Sequence, residues 1–382
     1  MSIVASVVRT ALVVAVVGGA AAIARAQDTS QTSASSALYI RNDSDGTTVV
    51  TPRISVGAPI SDQTRVAAVY TVDVWTSASV DIRASASKPV TEQRDQLDVS
   101  LEHALSDITL GGSYRYSTEY DYESHGGTIG GSYDFADNNA TLAVRAQGYF
   151  DTVGRAGDPG FQLESNTLGL RASLTQILTP VWLVQGVYEI GLQTGFLSSP
   201  YRYVRFSSDG DQSVGTCRPP VSMCAPEENP DSRMRHALAV HTRRALGETL
   251  AMGGGYRFYF DDWSMLSHTI TLDATWTASE RWLLSAEYRF YTQNDAGHYK
   301  PSYLAPTATT PAVIYYTRDK ELSSLTSHRL SLGITRTWPI DDSGGELNGV
   351  LLVAPAYFGY SNFPLLDSIT ALEATIAFEV RL

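Results

Sequence analysis

Apolar and polar residues alternate with period two along most of this chain. In 141–151, Leu142, Val144, Ala146, Gly148 and Phe150 share one face, and Arg145, Gln147 and Asp151 share the other. Leu168, Leu170, Ala172 and Leu174 oppose Arg171, Ser173 and Thr175 in the same way. So do Leu250, Met252, Gly254, Tyr256, Phe258 and Phe260 against Arg257, Tyr259 and Asp261. Ile270, Leu272, Ala274 and Trp276 oppose Thr269, Thr271, Asp273 and Thr275, while Leu284, Ala286, Tyr288 and Phe290 oppose Ser285, Glu287 and Arg289. The last eleven residues, 372–382, alternate without a break. Side chains on a strand point to opposite faces in turn, so each segment reads as a strand with one apolar and one polar side. Less regular members lie at 66–74, 97–101, 108–120, 182–192, 238–240 and 330–334. The stretch 350–360 is the weakest, because Pro355 removes a ladder hydrogen bond and predicts a bulge or bend.

The connections sort into two kinds. Short ones fall at Ser106-Asp107, Asp137-Asn138, Leu178-Thr179-Pro180, Gly247-Glu248 and Ala278-Ser279-Glu280. Long ones fall at 77–92, 152–162, 196–231 and 294–324, and the two kinds alternate. A membrane barrel has this asymmetry, with tight periplasmic turns and longer outer loops, and its lipid face must be apolar while its lumen is wet. The prediction is therefore an all-β, transmembrane, antiparallel up-and-down barrel of about 16 strands. It starts from an upward strand at 37–41 and a downward one at 47–56 that runs into a turn at 57–63. Fourteen strands result if that first hairpin folds aside.

Tryptophan supports the same orientation. Trp182, Trp276, Trp282 and Trp338 each lie beside a short turn with the parity of the apolar face, which predicts a lipid-facing girdle at the inner boundary. Tyr116, Tyr120, Phe150, Phe258, Phe260 and Phe290 sit at the opposite strand ends and predict an outer girdle.

Composition refines the location. One basic residue, Arg9, precedes an apolar run at 11–22, and Ala24 and Ala26 flank Arg25 before Gln27, which predicts a secretory signal cut after Ala26. Residues 27–36 read as a flexible segment and 37–382 as the barrel, placing the chain in the outer membrane of a Gram-negative cell. The net charge of −12 falls to about −14 without Arg9 and Arg25, which disfavours nucleic acid as a partner. Outer-membrane lipid and the barrel assembly machinery are the implied partners; the latter usually meets a terminal aromatic, whereas Leu382 ends this chain and Phe378 precedes it by four. The two cysteines, Cys217 and Cys224, predict a disulfide closing a small loop, worth ~2 kcal/mol at most by loop entropy.

Four segments carry a family likeness. They are Tyr39-Ile40-Arg41-Asn42-Asp43 leading to Thr51-Pro52-Arg53-Ile54-Ser55-Val56, then Asp73-Val74-Trp75-Thr76-Ser77-Ala78-Ser79, then Gly195-Phe196-Leu197-Ser198-Ser199-Pro200-Tyr201-Arg202, and Asn229-Pro230-Asp231-Ser232-Arg233. With these the chain resembles an exported bacterial family catalogued as domain of unknown function 3570. The resemblance covers nearly all of the mature chain and implies an outer-membrane barrel with no established activity. It also implies a periplasmic lipoprotein or redox protein as a partner, since members look to be encoded near a small lipoprotein and flavin-attachment enzymes.

The polar parity collects charged residues toward the lumen: Arg65, Arg115, Arg145, Arg171, Arg257, Arg289 and Arg329 against Asp73, Asp98, Glu102, Glu189, Asp273, Glu287 and Glu373. Such a set either imposes a transverse field that selects solutes by charge, or pairs off as salt bridges filling a closed interior. Catalysis has little support, so the chain reads as a pore or a scaffold and not an enzyme. His103, His125, His236, His268, His298 and His328 are scattered at strand ends or in loops, and only His241, beside Arg243, has lumen parity. That lone histidine is the one support for a barrel hydrolase. No nucleophile elbow, phosphate loop, haem-attachment pair or metal spacing appears, so no cofactor is expected. Gly253, Gly254 and Gly255 lie mid-strand, where small residues relieve crowding or allow bending. The aromatic and basic stretch 201–206 in the longest loop extends a strand above the membrane, folds inward as a constriction, or binds a ligand; the first is the default.

Overall fold

The computed structural model describes residues 31–77, 90–208, 224–306, 313–340 and 344–382. The predicted signal segment and Cys217 lie outside these residues, so the cleavage site and the disulfide at Cys224 stay expectations. The strands are β1 (Ser33–Asp43), β2 (Thr47–Ser61), β3 (Thr64–Ser77), β4 (Val90–Ala104), β5 (Ile108–Thr118), β6 (Tyr122–Phe135), β7 (Ala140–Val153), β8 (Leu163–Thr179) and β9 (Trp182–Gly195). They continue with β10 (Tyr203–Arg205), β11 (Cys224–Pro226), β12 (Ser232–Leu246), β13 (Leu250–Asp261), β14 (Leu266–Ser279), β15 (Trp282–Gln293), β16 (Leu325–Pro339), β17 (Glu346–Tyr360) and β18 (Ser368–Arg381).

Sixteen of these form one closed antiparallel barrel in chain order, with β9 pairing directly to β12 and β1 pairing to β18. The closing seam runs from Ser33↔Arg381 to Asp43↔Ala371. Closure leaves no free edge, which is the condition for strands in hydrocarbon, where an unpaired backbone group has no water to turn to. β10 and β11 pair with each other outside the barrel.

Burial follows the alternation. Leu97, Val99 and Leu101 of β4, Leu168, Leu170 and Leu174 of β8, and Leu372, Ile376 and Phe378 of β18 are exposed on the outside, while the residues between them face the interior. The sheet thus carries its apolar band outward, the reverse of a soluble sandwich, whose greasy faces pack on each other.

Several boundaries differ from the sequence expectation. β1 begins at Ser33, so residues 33–36 pair with β2 and β18 and are not a flexible lead. β2 runs on to Ser61, and the residues assigned to a turn at 57–61 are strand, with the register shifting between Pro59 and Ser61. At Pro355 no bulge forms: pairing to β18 passes straight through Pro355↔Leu372, and on the β16 side the register is the same before and after the two missing rungs. The proline loses its ladder bond without shifting the strand. The outer end also has short connections, at 44–46, 119–121 and 262–265, beside the long loops. Stretch 201–206 does not extend β9; its central residues form β10, whose Val204 is fully buried.

At the inner end, Ala136, Asp137 and Asn138 all take left-handed backbone, closing β6 to β7. Aspartate and asparagine tolerate that region through local side-chain hydrogen bonds, whereas Ala136 carries real strain there.

Candidate functional site: the charged lumen and its bridged mouth

The charged residues of the polar parity lie on the face opposite the exposed apolar side chains, and many of them pair with a group on the adjacent strand or the next but one. Arg115 Nε is 2.6 Å from Asp98 Oδ1, and Asp73 takes Arg94 at 2.6 Å and the Thr51 hydroxyl. Arg171 and Arg257 share Glu189, each at 3.2 Å. Arg243 pairs with Asp273. Arg329 bonds Glu373 at 3.0 Å and lies 3.7 Å from Glu287. Arg65, nearly buried, stands opposite Glu102 in the register and reaches back to Ser33 Oγ at 2.5 Å and the Gln31 carbonyl. It ties the start of β1 to the wall.

The register also sets like charges face to face. Arg145 on β7 is directly opposite Arg171 on β8, Arg289 on β15 is opposite Arg329 on β16, and Asp273 is opposite Glu287. Like charges at opposed positions destabilise a sheet, so a fold that keeps them departs from local consistency, which is where function is expected. Arg243 relieves Asp273, and Glu373 relieves Arg329. Arg145 and Arg289 contribute to a lumen face on β7–β15 that carries more guanidiniums than carboxylates, and Arg289 lies 5.6 Å from the Tyr291 ring. Arg235 adds to the same wall. The β3–β5 wall balances Arg94 and Arg115 against Asp73 and Asp98.

The glycine run explains how this wall is built. A side chain on Gly253 would run into the Asp273 carboxylate, and one on Gly255 would run into His241 and Thr271. Crowding relief is thus the role of the run. His241 lies over Gly255 facing the lumen, and among the described residues no hydroxyl hydrogen-bonds to it. It has no assembled nucleophile.

Two outer loops meet at the outer end of the barrel. The described parts of 196–231, between β9 and β12, and of 294–324, between β15 and β16, are joined by a parallel bridge at Ser207↔Leu304 and an antiparallel one at Glu228↔Tyr316. Glu227, almost fully buried, accepts from Ser199 N at 2.9 Å and from the Thr317 hydroxyl, and pairs with Arg202 at 3.2 Å. Arg202 also reaches Asp319 at 3.1 Å. On one side Tyr201 donates to Asp121 in the β5–β6 turn. On the other, Lys320 pairs with Asp45 in the β1–β2 turn at 3.2 Å. The β1–β2, β5–β6, β9–β12 and β15–β16 connections sit about a quarter of the ring apart in the strand order. A single contact chain thus links four connections spaced evenly around the rim. An apolar cluster of Trp263, Met265, Tyr299, Leu322, Tyr360 and Phe363 seats the second loop on the rim.

Burial pushes the Glu227 carboxyl above the ordinary glutamate range, and the nearby Arg202 guanidinium offsets this only in part. Neither this network nor its anchors at Asp45 and Asp121 is visible in sequence, because its members come from loops without periodicity.

The girdles sort by face. Trp182, Trp276 and Trp282 are exposed on the outside at the inner strand ends, and Trp338 lies there over Gly349. Arg336 stacks on Trp282 and Trp338 at 5.0 and 4.8 Å, and Arg244 on Trp182 at 5.8 Å. At the outer end, Tyr116, Phe258, Phe260 and Phe290 face outward, each against a histidine. His125, His236, His268 and His328 are therefore not scattered. They occupy equivalent outward positions near the start of four descending strands.

No curated protein matches the chain. Among solved structures, a bacterial polysaccharide outer membrane secretin matches with a TM-score of 0.53 at 11% identity, over 93% of this chain and 99% of that one. The siderophore receptor PirA from Pseudomonas aeruginosa matches at 0.42 and 11% identity, over 92% and 81%. The CymD monoaromatic hydrocarbon channel matches at 0.42 and 10%, over 92% and 89%. The first bears on architecture alone, and the fold is that of an outer-membrane barrel. The family model described as Protein of unknown function (DUF3570) matches residues 5–344, and the chain belongs to that family.

Proposed function

We propose that the protein is a gated outer-membrane pore for small hydrophilic solutes, with anions favoured. The observation that carries this reading is the arginine-rich lumen face of β7–β15, where Arg145 and Arg171 stand opposed on one rung. Fixed positive charge along one side of a confined wet channel raises the local concentration of anions. The bridge from Asp121 through Tyr201, Arg202, Asp319 and Lys320 to Asp45 acts as the gate, because its two ends are tied to the β5–β6 and β1–β2 turns by polar contacts that can be released. Purified protein in a planar bilayer should conduct, with a reversal potential shifted toward the anion equilibrium under a salt gradient. A bilayer that stays silent even when the bridge is cut would remove the proposal.

The bridged mouth also suits a second reading, a non-conducting barrel that anchors a periplasmic lipoprotein or redox protein. Cross-linking in intact cells followed by purification separates the two, since only the scaffold must emerge with a stoichiometric partner. Catalysis forms no part of either reading.

A further inference from the structure

We propose that the outside of β8, β9, β12, β13 and β14 is a specific seat for a phosphorylated lipid of the outer leaflet. Its acyl chain would lie in a groove on the wall, and its phosphate would bind the imidazoles of His236 and His268.

The groove is a cavity of about 810 Å³ on the lipid-facing side. Gly186 and Ala172 form its floor, where nothing stands within 4 Å of the place a Gly186 side chain would take. Leu174, Leu238 and Val240 wall it, and Tyr256 and His268 stand at its outer end. An apolar trough of this kind in a wall otherwise studded with leucine fits a hydrocarbon chain and little else.

The outer end has different chemistry. Tyr188 Oη is 2.9 Å from His236 Nδ1, and Tyr256 Oη is 2.7 Å from His268 Nδ1. In both pairs the tyrosine lies on one strand and the histidine two residues outward on the next, so the hydroxyl meets the ring diagonally. Phe260 stacks on His236 at 4.8 Å and 11°, and Phe258 lies 5.3 Å from His268. The rings are thereby fixed in place and plane. A tyrosine hydroxyl donating to Nδ1 leaves the imidazole proton on Nε2, on the far side of the ring. That nitrogen has no partner among the described residues in either histidine. Two oriented donors with no acceptor, at the level where acyl chains give way to headgroups, suit phosphate oxygens. A simple aromatic belt needs neither histidine nor the diagonal hydrogen bond.

The same diagonal pair recurs at Tyr114 and His125, 2.7 Å, and at Tyr288 and His328, 2.7 Å. His125 there also meets Glu123 at 3.1 Å, an acid that would repel phosphate. The pairs at His236 and His268 combine free Nε2 atoms with the groove beside them.

The experiment is native mass spectrometry of detergent-purified full-length protein titrated with diphosphoryl lipid A, with a phosphate-free diacylglycerol as comparison. The wild type should retain the phosphorylated lipid and lose the other. The H236F/H268F double variant should bind about tenfold more weakly, a difference of roughly 1.4 kcal/mol. Y188F/Y256F keeps every ring but frees the imidazoles, and it should weaken binding too. G186L fills the floor and should abolish retention. Should the phenylalanine histidine variant fail to show the heat-modifiable gel shift of a folded barrel, H236Q/H268Q replaces it. Equal retention of both lipids, or variants indistinguishable from wild type, overturns the proposal. Binding of inorganic phosphate alone, undisturbed by G186L, overturns it as well, since the groove would then play no part.

Discussion

Arg145 on β7 and Arg171 on β8 stand directly opposite one another on a single rung of the barrel, both facing the lumen. Glu189 compensates Arg171 at 3.2 Å, but it is shared with Arg257. The pair costs the sheet about 0.2–1 kcal/mol relative to neutral residues. Arg145→Gln should therefore raise thermal stability slightly while moving the bilayer reversal potential toward the cation value. A variant that changes stability but leaves selectivity untouched would show that this rung only fills space.

Glu227 gives the bridge a dependence on pH. The groups facing it are Arg202, Asp319, the Thr317 hydroxyl and the Ser199 amide. Its carboxyl is raised in the bridged state, chiefly by desolvation, and returns toward the ordinary value when the loop swings into water. The bridged state thus holds its proton more tightly than the open one. Falling pH favours the bridge, and rising pH through the raised value loosens it. Conductance should increase from acid to neutral pH over that window. Glu227→Gln should stay bridged and lose the dependence; an unchanged pH profile in that variant would assign the titration elsewhere.

The anchors of the bridge can be cut one at a time. Tyr201→Phe removes the bond to Asp121, and Lys320→Met removes the ion pair to Asp45. Hydrogen bonds to charged groups are worth about 1.5–3 kcal/mol each, so the double variant should free both ends of the bridge while the apolar seat of the second loop stays. Single-channel open probability should rise in each variant and most in the pair. Limited proteolysis within 196–208 should quicken in parallel. Unaltered opening with accelerated cleavage would mean that the loops move without gating.

The wall was legible in the sequence and the mouth was not, for a physical reason. A strand between lipid and water writes its environment into every second residue, so Leu250–Asp261 declares both its face and its length, and 372–382 declares its face although β18 starts four residues earlier at Ser368. β6 is the exception among the strands: with Gly126, Gly127, Gly130 and Gly131 it has too few side chains to alternate, and its neighbours impose its register. Arg145 and Arg171 could be placed on the lumen side from parity, but that they oppose each other depends on the shear between β7 and β8, which no single strand encodes. Glu227, Asp319 and Lys320 come from loops whose contacts run between distant parts of the chain, Lys320 to Asp45 above all. The outward histidines lie near strand ends, a position that suggests a loop, yet His236, His268 and His328 share the parity of Leu238, Ile270 and Leu330 and so belong to the lipid face.

Parity itself can be tested at two adjacent glycines of β13. Gly253 faces inward, and a side chain there would strike the Asp273 carboxylate and displace its pair with Arg243. Gly254 faces outward, with Leu272 Cδ2 at 3.6 Å and Thr271 O at 3.7 Å from the position of a new Cβ, which is ordinary contact. Gly253→Val should cost about 1–3 kcal/mol through overpacking. Gly254→Val should be neutral or mildly stabilising, because a β-branched residue suits a strand and meets only hydrocarbon. The temperature at which the compact band on an unboiled gel converts to the unfolded one reads both. A barrel with its faces reversed would show the opposite order, with Gly254→Val the damaging change and Gly253→Val the harmless one.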